Sequence, residues 1–282
     1  MIWLTWRQFR LSAATAIGGL VIIAVVLAST EPGGGGYLSH DHLIDFLSTF
    51  LVGVPALIGA FWGAPLVAGE LESGTHRLVW TQSVSRTRWL AVKVATIGLA
   101  ATVATGCLSL MLSAWSSDAT NRDRFGTAMF AQRGVVPVAY AAFGLALGIA
   151  AGLLIRRTLP AMAATLFGFT AVRLAFQTLV RPHLATPVRI SEPLSATNGS
   201  PLRVPAGAWT ISNDFFDAAG RLAPNIRCGP DAAACMSRYH QVVTYQPADR
   251  YWTFQGLESA AFLVLALALL TWSFWWLRTR TS

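Results

Sequence analysis

The chain has 282 residues, 54% hydrophobic and only 12% charged, with a mean hydropathy of +0.51. Soluble domains carry about a quarter charged residues, so an ordinary soluble fold is excluded, and long unbroken apolar runs exclude the alternating pattern of a membrane barrel. The formal charge of +8 does not read as a nucleic-acid footprint, because cationic residues of helical membrane proteins collect in cytoplasmic segments. An all-α polytopic membrane protein remains.

Residues 1–10 interleave Trp3, Leu4, Trp6 and Phe9 with Arg7 and Arg10, the pattern of an amphipathic interfacial helix at a lipid surface. Leu11 to Ala28 reads as a first, short span; a cleaved signal peptide is the competing reading. After a glycine-rich turn region, Leu43 to Val67 is the second span. Pro55 lies inside it and is expected to kink it, and Gly59 and Gly63 form a G-x-x-x-G face for close helix contact. Trp89 to Leu112 is the third span, and Thr102, Thr105, Ser109 and Ser113 form a polar stripe on it. Gly134 to Ile155 is the fourth, with Gly144, Gly148 and Gly152 at every fourth position. Arg156 and Arg157 mark a tight return, and Leu159 to Val180 is the fifth span.

Residues 181–254 form a long polar segment rich in proline, with two strand-like stretches at 208–212 and 241–245 and a turn at Asp217 to Gly220. Cys228 and Cys235 share this segment and can pair if it lies outside the cytoplasm. Residues 255–282 hold the sixth span and a cationic tail. Six transmembrane helices put both termini on one side, within residues 1–180 and 255–282. With the termini inside, ten Lys or Arg fall in cytoplasmic parts and three in the short outer loops. That orientation follows the positive-inside rule, and it makes 181–254 a small extracytoplasmic domain.

No phosphate loop occurs anywhere in the sequence, so nucleotide hydrolysis is not expected of this chain. His40, Asp41 and His42 lack further ligands at workable spacing, so no metal site is assigned. Within the membrane, Arg173 stands out. A charge at such depth costs about 3 kcal/mol on insertion scales, so it needs water or a partner. Gln177 shares its helical face; Glu258, or alternatively Asp45, is the expected counter-charge.

The most informative stretch is Gly69 to Lys93. Gly74 is suited to end the second span's helix. Thr75 can start a short helix carrying Arg77, Leu78, Val79 and Trp80, and Ser85 can cap the third span. The result is a cytoplasmic segment over residues 69–88 that holds a short membrane-parallel helix, flanked by Glu70, Glu72 and Arg86. Glu70-x-Glu72-x-Gly74-Thr75, followed by Thr81 to Arg86 and Lys93, resembles the permease subunits of ABC transporters of the type-2 exporter family. The run Tyr245 to Glu258, with Arg173 and Arg181 to His183, is similar to actinobacterial members.

The resemblance implies that 69–88 is a coupling helix gripped by a separate ABC-type ATPase subunit. It further implies a permease working with a second permease copy or a paralogue, no enzyme activity in this chain, and no cofactor beyond ATP bound by the partner. The long outer segment departs from the family's simplest members, so the cargo is not inferred. An alternative of another class is a membrane-anchored sensor or assembly factor with a ligand-binding outer domain. An ion-coupled carrier would need mid-span carboxylates and internal repeats, which the sequence lacks.

Overall fold

The structure is a computed structural model that describes residues 2–29, 50–74, 85–115, 124–194, 202, 204–224, 226, 228 and 232–279. The chain divides into two compact units, one of residues 1–117, 127–176 and 255–282, the other of 118–126 and 177–254. Among the described residues, five helical stretches are long and apolar enough to cross a bilayer, and Ala14–Ala28 is a shorter apolar one.

The first unit is helical. Helix α1 runs Ile2–Ala28 without interruption, so the expected boundary at Arg10 between an interfacial helix and a first span is not a break in the backbone. No glycine or proline occurs between Phe9 and Ala16 to stop the helix. Its 27 residues reach about 40 Å at 1.5 Å each, enough for both roles in one rod.

Helix α2 spans Val54–Glu72. The expected interruption at Pro55 is present: Phe50 and Leu51 are helical, Val52 and Gly53 turn, and the helix restarts at Val54. Pro55 lies in its first turn, where the missing N–H is no loss and the fixed φ starts the helix. A second irregularity follows, as a π turn at Gly59–Gly63. The helix also continues past Val67, carrying Glu70 and Glu72 on regular backbone, before Gly74 turns the chain at φ +71°.

Helix α3 is Arg86–Trp115; Ser85 Oγ accepts from Arg88 N at 3.3 Å and so closes its first turn. A short helix α4, Thr127–Gln132, precedes α5, Val136–Ile155. Arg156, at φ 58°, ends α5, and Thr158–Ala175 forms α6. Helix α8, Tyr251–Thr279, is the last.

The unit is centred on α5, 67% buried, whereas α6 and α8 are each only 22% buried. The cause is a glycine seam. A Cβ on Gly144 would stand 2.6 Å from Pro55 O, one on Gly63 2.8 Å from Leu145 O, and one on Gly152 2.8 Å from Ala64 O. Gly148 faces the carbonyl of Gly59. The two glycine faces are therefore each other's partners, and the π turn of α2 fits because neither side carries a Cβ there. Toward the Gly74 end, Val67, Trp89, Leu90, Ile149, Leu153 and Leu277 close an apolar core.

At the other end of α5 the first turn is capped from a distance. Gln255, fully buried on α8, accepts from Val135 N and Val136 N at 3.1 Å each and donates to Phe130 O at 3.0 Å. The polar stripe on α3 spends its hydroxyls on carbonyls: Thr105 on Ala101, Ser113 on Ser109, and Ser109 on Gly134.

The second unit contains a three-stranded antiparallel sheet in the order β1-β3-β2. Its strands are β1 Val188–Pro193, β2 Trp209–Asp217 and β3 Tyr239–Gln246. Both expected strands are present; β1 was not foreseen, because VRISEP is largely exposed and carries no clean alternation. A five-residue helix α7, Ala232–Met236, leads into β3, and Cys228 is joined to Cys235. Phe125 stacks on Trp209 at 6.0 Å and meets Tyr251 and Phe254 edge-on.

The turn after β2 is held by one carboxylate: Asp217 accepts from the backbone of Arg221 and Ala219 and from Arg221 Nε. The Arg221 amide, foremost, lowers the Asp217 pKa. A lowered folded value means that the contribution is full above the ordinary aspartate pKa of about 4 and is lost as pH falls through the folded value. The protection of the Ala219 and Arg221 amides against exchange, relative to their intrinsic rates, should therefore fall below that point in the wild type. In Asp217→Ala it should be low at every pH.

Candidate coupling site

The polar chemistry of the first unit gathers where α2 ends and α3 begins. Glu70 lies two residues from the C-terminus of α2, so its side chain reaches α3 across the mouth of the helical pair. Lys93 Nζ donates to Glu70 Oε1 at 2.6 Å and to Leu66 O at 3.0 Å. Trp89 Nε1 donates to the other carboxylate oxygen at 3.1 Å. The ammonium also lies 4.6 Å from the Trp89 ring centroid, a cation–π distance. Every strong group in this cluster is paired, which a charge at such burial requires.

Glu72, half a turn on, works in another direction. Its Oε2 accepts from Thr158 N at 2.9 Å and from Thr158 Oγ1 at 2.7 Å. Arg157 at the start of α6 supplies no cap of its own, so this carboxylate satisfies an exposed amide there and sits at the positive end of that helix dipole. The two glutamates thus tie the end of α2 to α3 and to α6. The chain between these anchored points, residues 75–84, holds the expected Thr75, Arg77, Leu78, Val79 and Trp80 and lies outside the described residues. Arg86 opens α3.

Two participants, Trp89 and Thr158, were not singled out from the sequence, and Lys93 appeared only as the end of a motif. A signal existed for Lys93: it is the sole lysine of the chain, placed inside an apolar run, and such a charge demands a carboxylate in reach.

The intramembrane polar residues divide differently. Arg173 and Glu258, 8% and 0% exposed, both belong to the first unit. Tyr140 stands between them: its hydroxyl donates to Glu258 Oε1, and its ring centroid lies 5.5 Å from Arg173 Cζ. The direct bond expected between Arg173 and Glu258 is replaced by this relay through the tyrosine, whose polar end suits the carboxylate and whose ring face suits the guanidinium. Gln177 belongs to the second unit, in the π turn Phe176–Val180, and Asp45 lies outside the described residues. Among the described residues no group of His, Cys, Asp and Glu is arranged to hold a metal.

Taken together, long apolar helices around a glycine-packed centre define a multi-pass membrane protein. A family model described as ABC-2 membrane transporter related matches residues 37–181, just over half of the chain. The chain belongs to that family, and is thereby a membrane component of an ABC transporter, a class of permease that is typically non-catalytic and generally has an ATPase partner. No curated protein and no solved structure matches it.

Proposed function

We propose that the chain is the permease of an ATP-driven exporter in a bacterial plasma membrane, coupled to a separate ATPase through residues 69–88. The observation that carries this reading is the double brace on the stem of that segment, Glu70 to Trp89 and Lys93, and Glu72 to Thr158. A push on residues 75–84 enters α2, α3 and α6 together, because none of the three can move alone without breaking a charged contact.

In this reading α1 is the first of six spans and carries the interfacial residues at its start. Both termini and the Gly74 end are cytoplasmic, and residues 181–254 form the extracytoplasmic domain. ATP is bound by the partner, this chain needs no cofactor, and a second permease copy or a paralogue completes the two-fold arrangement. The path opens between the two permeases.

Affinity purification from native membranes tests it. A nucleotide hydrolase should copurify with the wild type. Trp80→Ala and Arg77→Ala should weaken its retention by roughly 30-fold, the scale of an interface hot spot of about 2 kcal/mol, while melting in detergent is unchanged. Retention by both variants at the wild-type level would remove the assignment. So would labelling of Thr81→Cys by a membrane-impermeant maleimide from outside intact cells.

A further inference from the structure

Of the buried charges among the described residues outside the coupling cluster, Arg173 is the one whose guanidinium edge is left unbonded. Arg173 is 92% shielded by the fold, being 8% exposed, and its Nε and Nη2 have no hydrogen-bond partner. These two atoms are the side-on fork of the guanidinium, whose parallel N–H groups match the two oxygens of a carboxylate or phosphate. Leaving that edge empty in an apolar interior is costly. Glu258 does not fill it: its Oε1 accepts from the Tyr140 hydroxyl, and neither Nε nor Nη2 of Arg173 reaches a carboxylate.

The surroundings are aromatic. Phe262 contacts Tyr140 at 4.6 Å, Phe143 at 5.3 Å and Phe176 at 5.2 Å, and Phe169 meets Tyr140 edge-on at 6.1 Å. These rings come from α5, α6 and α8, with Phe176 at the end of α6, so the seam between α6 and α8 is closed here by ring edges. Such contacts are soft, and the Tyr140 ring that joins this cluster is the one that lies against the Arg173 guanidinium.

We infer that the Nε/Nη2 edge of Arg173 is an anion-recognition site, occluded in this conformation, for an amphiphile bearing a carboxylate or phosphate head group. The head group occupies the fork, and the apolar remainder replaces the contacts of Phe176 and Phe262. Tyr140 positions both charges: its ring supports the guanidinium, and its hydroxyl holds the competing carboxylate of Glu258 away. The inference deepens the transport reading and rests on it only for the use made of the ligand.

Binding is measured on the full chain in nanodiscs with no hydrolase present, so failure here leaves the coupling reading standing, and the reverse holds. In phosphatidylcholine discs, dodecyl phosphate should bind saturably and about tenfold more tightly than dodecanol, the scale of one charge-assisted bond. Arg173→Lys, which keeps the charge and loses the fork, should weaken dodecyl phosphate about tenfold, and Arg173→Gln at least as much. Glu258→Gln should tighten it several-fold. If phosphatidylglycerol discs abolish the binding by competition, the natural source of the anion is a lipid head group; if they do not, it is a separate amphiphile. Equal affinities for the phosphate and the alcohol, or for wild type and Arg173→Lys, overturn the site. Should the arginine variants not fold, unchanged or weaker binding in Glu258→Gln does so.

Discussion

Gly148→Leu should yield a protein that no longer holds α2 against α5, with a loss of about 3 kcal/mol or more, at or above the top of the usual overpacking range. The reason is the nature of what the new side chain would meet. A Cβ at 148 stands 2.8 Å from Ala64 N and 3.0 Å from Gly63 C, and against the carbonyl of Gly59. All three are backbone atoms, so no rotamer change relieves the overlap, and the two helices must part along their length. Parting them exposes no apolar surface to water in a bilayer. The penalty is lost packing, which is what holds membrane helices together. Gly106→Leu is the control: nothing lies within 4 Å of a Cβ there. Thermal unfolding in detergent, followed by tryptophan fluorescence, should separate the two clearly, with Gly106→Leu close to wild type. A Gly148→Leu protein that melts with the wild type would mean that the seam is not the centre of the fold.

Glu70→Leu is the second large effect. Lys93 and Glu70 have side chains 5% and 12% exposed, so removing the carboxylate leaves a buried ammonium with the Leu66 carbonyl and no counter-charge, and takes away the acceptor of the Trp89 N–H. Breaking a buried pair from one side costs about 3–5 kcal/mol, whereas replacing both members with apolar residues of similar size is often neutral. Glu70→Leu should therefore be strongly destabilised, and Glu70→Leu with Lys93→Met should regain most of the loss, giving a coupling energy of a few kcal/mol in the double-mutant cycle. The double variant should still retain the hydrolase poorly, because its stem is packed without being pinned. Additive losses in the cycle would show that the two residues act separately.

How much of this was legible follows from which forces have a local signature. Spans, the tight return at Arg156 and the turn at Asp217 to Gly220 are written in runs of neighbouring residues, so hydropathy and turn chemistry expose them. Glycines at every fourth position announce a smooth helix face, but nothing local says that Gly148 opposes Gly59. That pairing is a tertiary fact. The same holds for the braces. Glu72 and Glu70 are visible as unusual charges, yet their partners lie 86 and 23 residues away, at spacings no motif encodes. The π turn at Gly59–Gly63 was illegible because it depends on the absence of side chains on both sides of the contact. Pro55 was a legible signal, because a proline breaks the helix before it and starts the one it stands in. Strand β1 was missed because pairing with β3, rather than its own pattern, makes it a strand.

The Gln255 carboxamide has a consequence for how the chain is made. It closes the first turn of α5 from a position 119 residues further along the sequence. During synthesis α5 enters the bilayer long before that carboxamide leaves the ribosome. The Val135 and Val136 amides therefore gain their Gln255 bonds only after the whole cystine-bearing region has been translated. Biogenesis is thus ordered from within: a span made long after α5 is the one that locks the central helix.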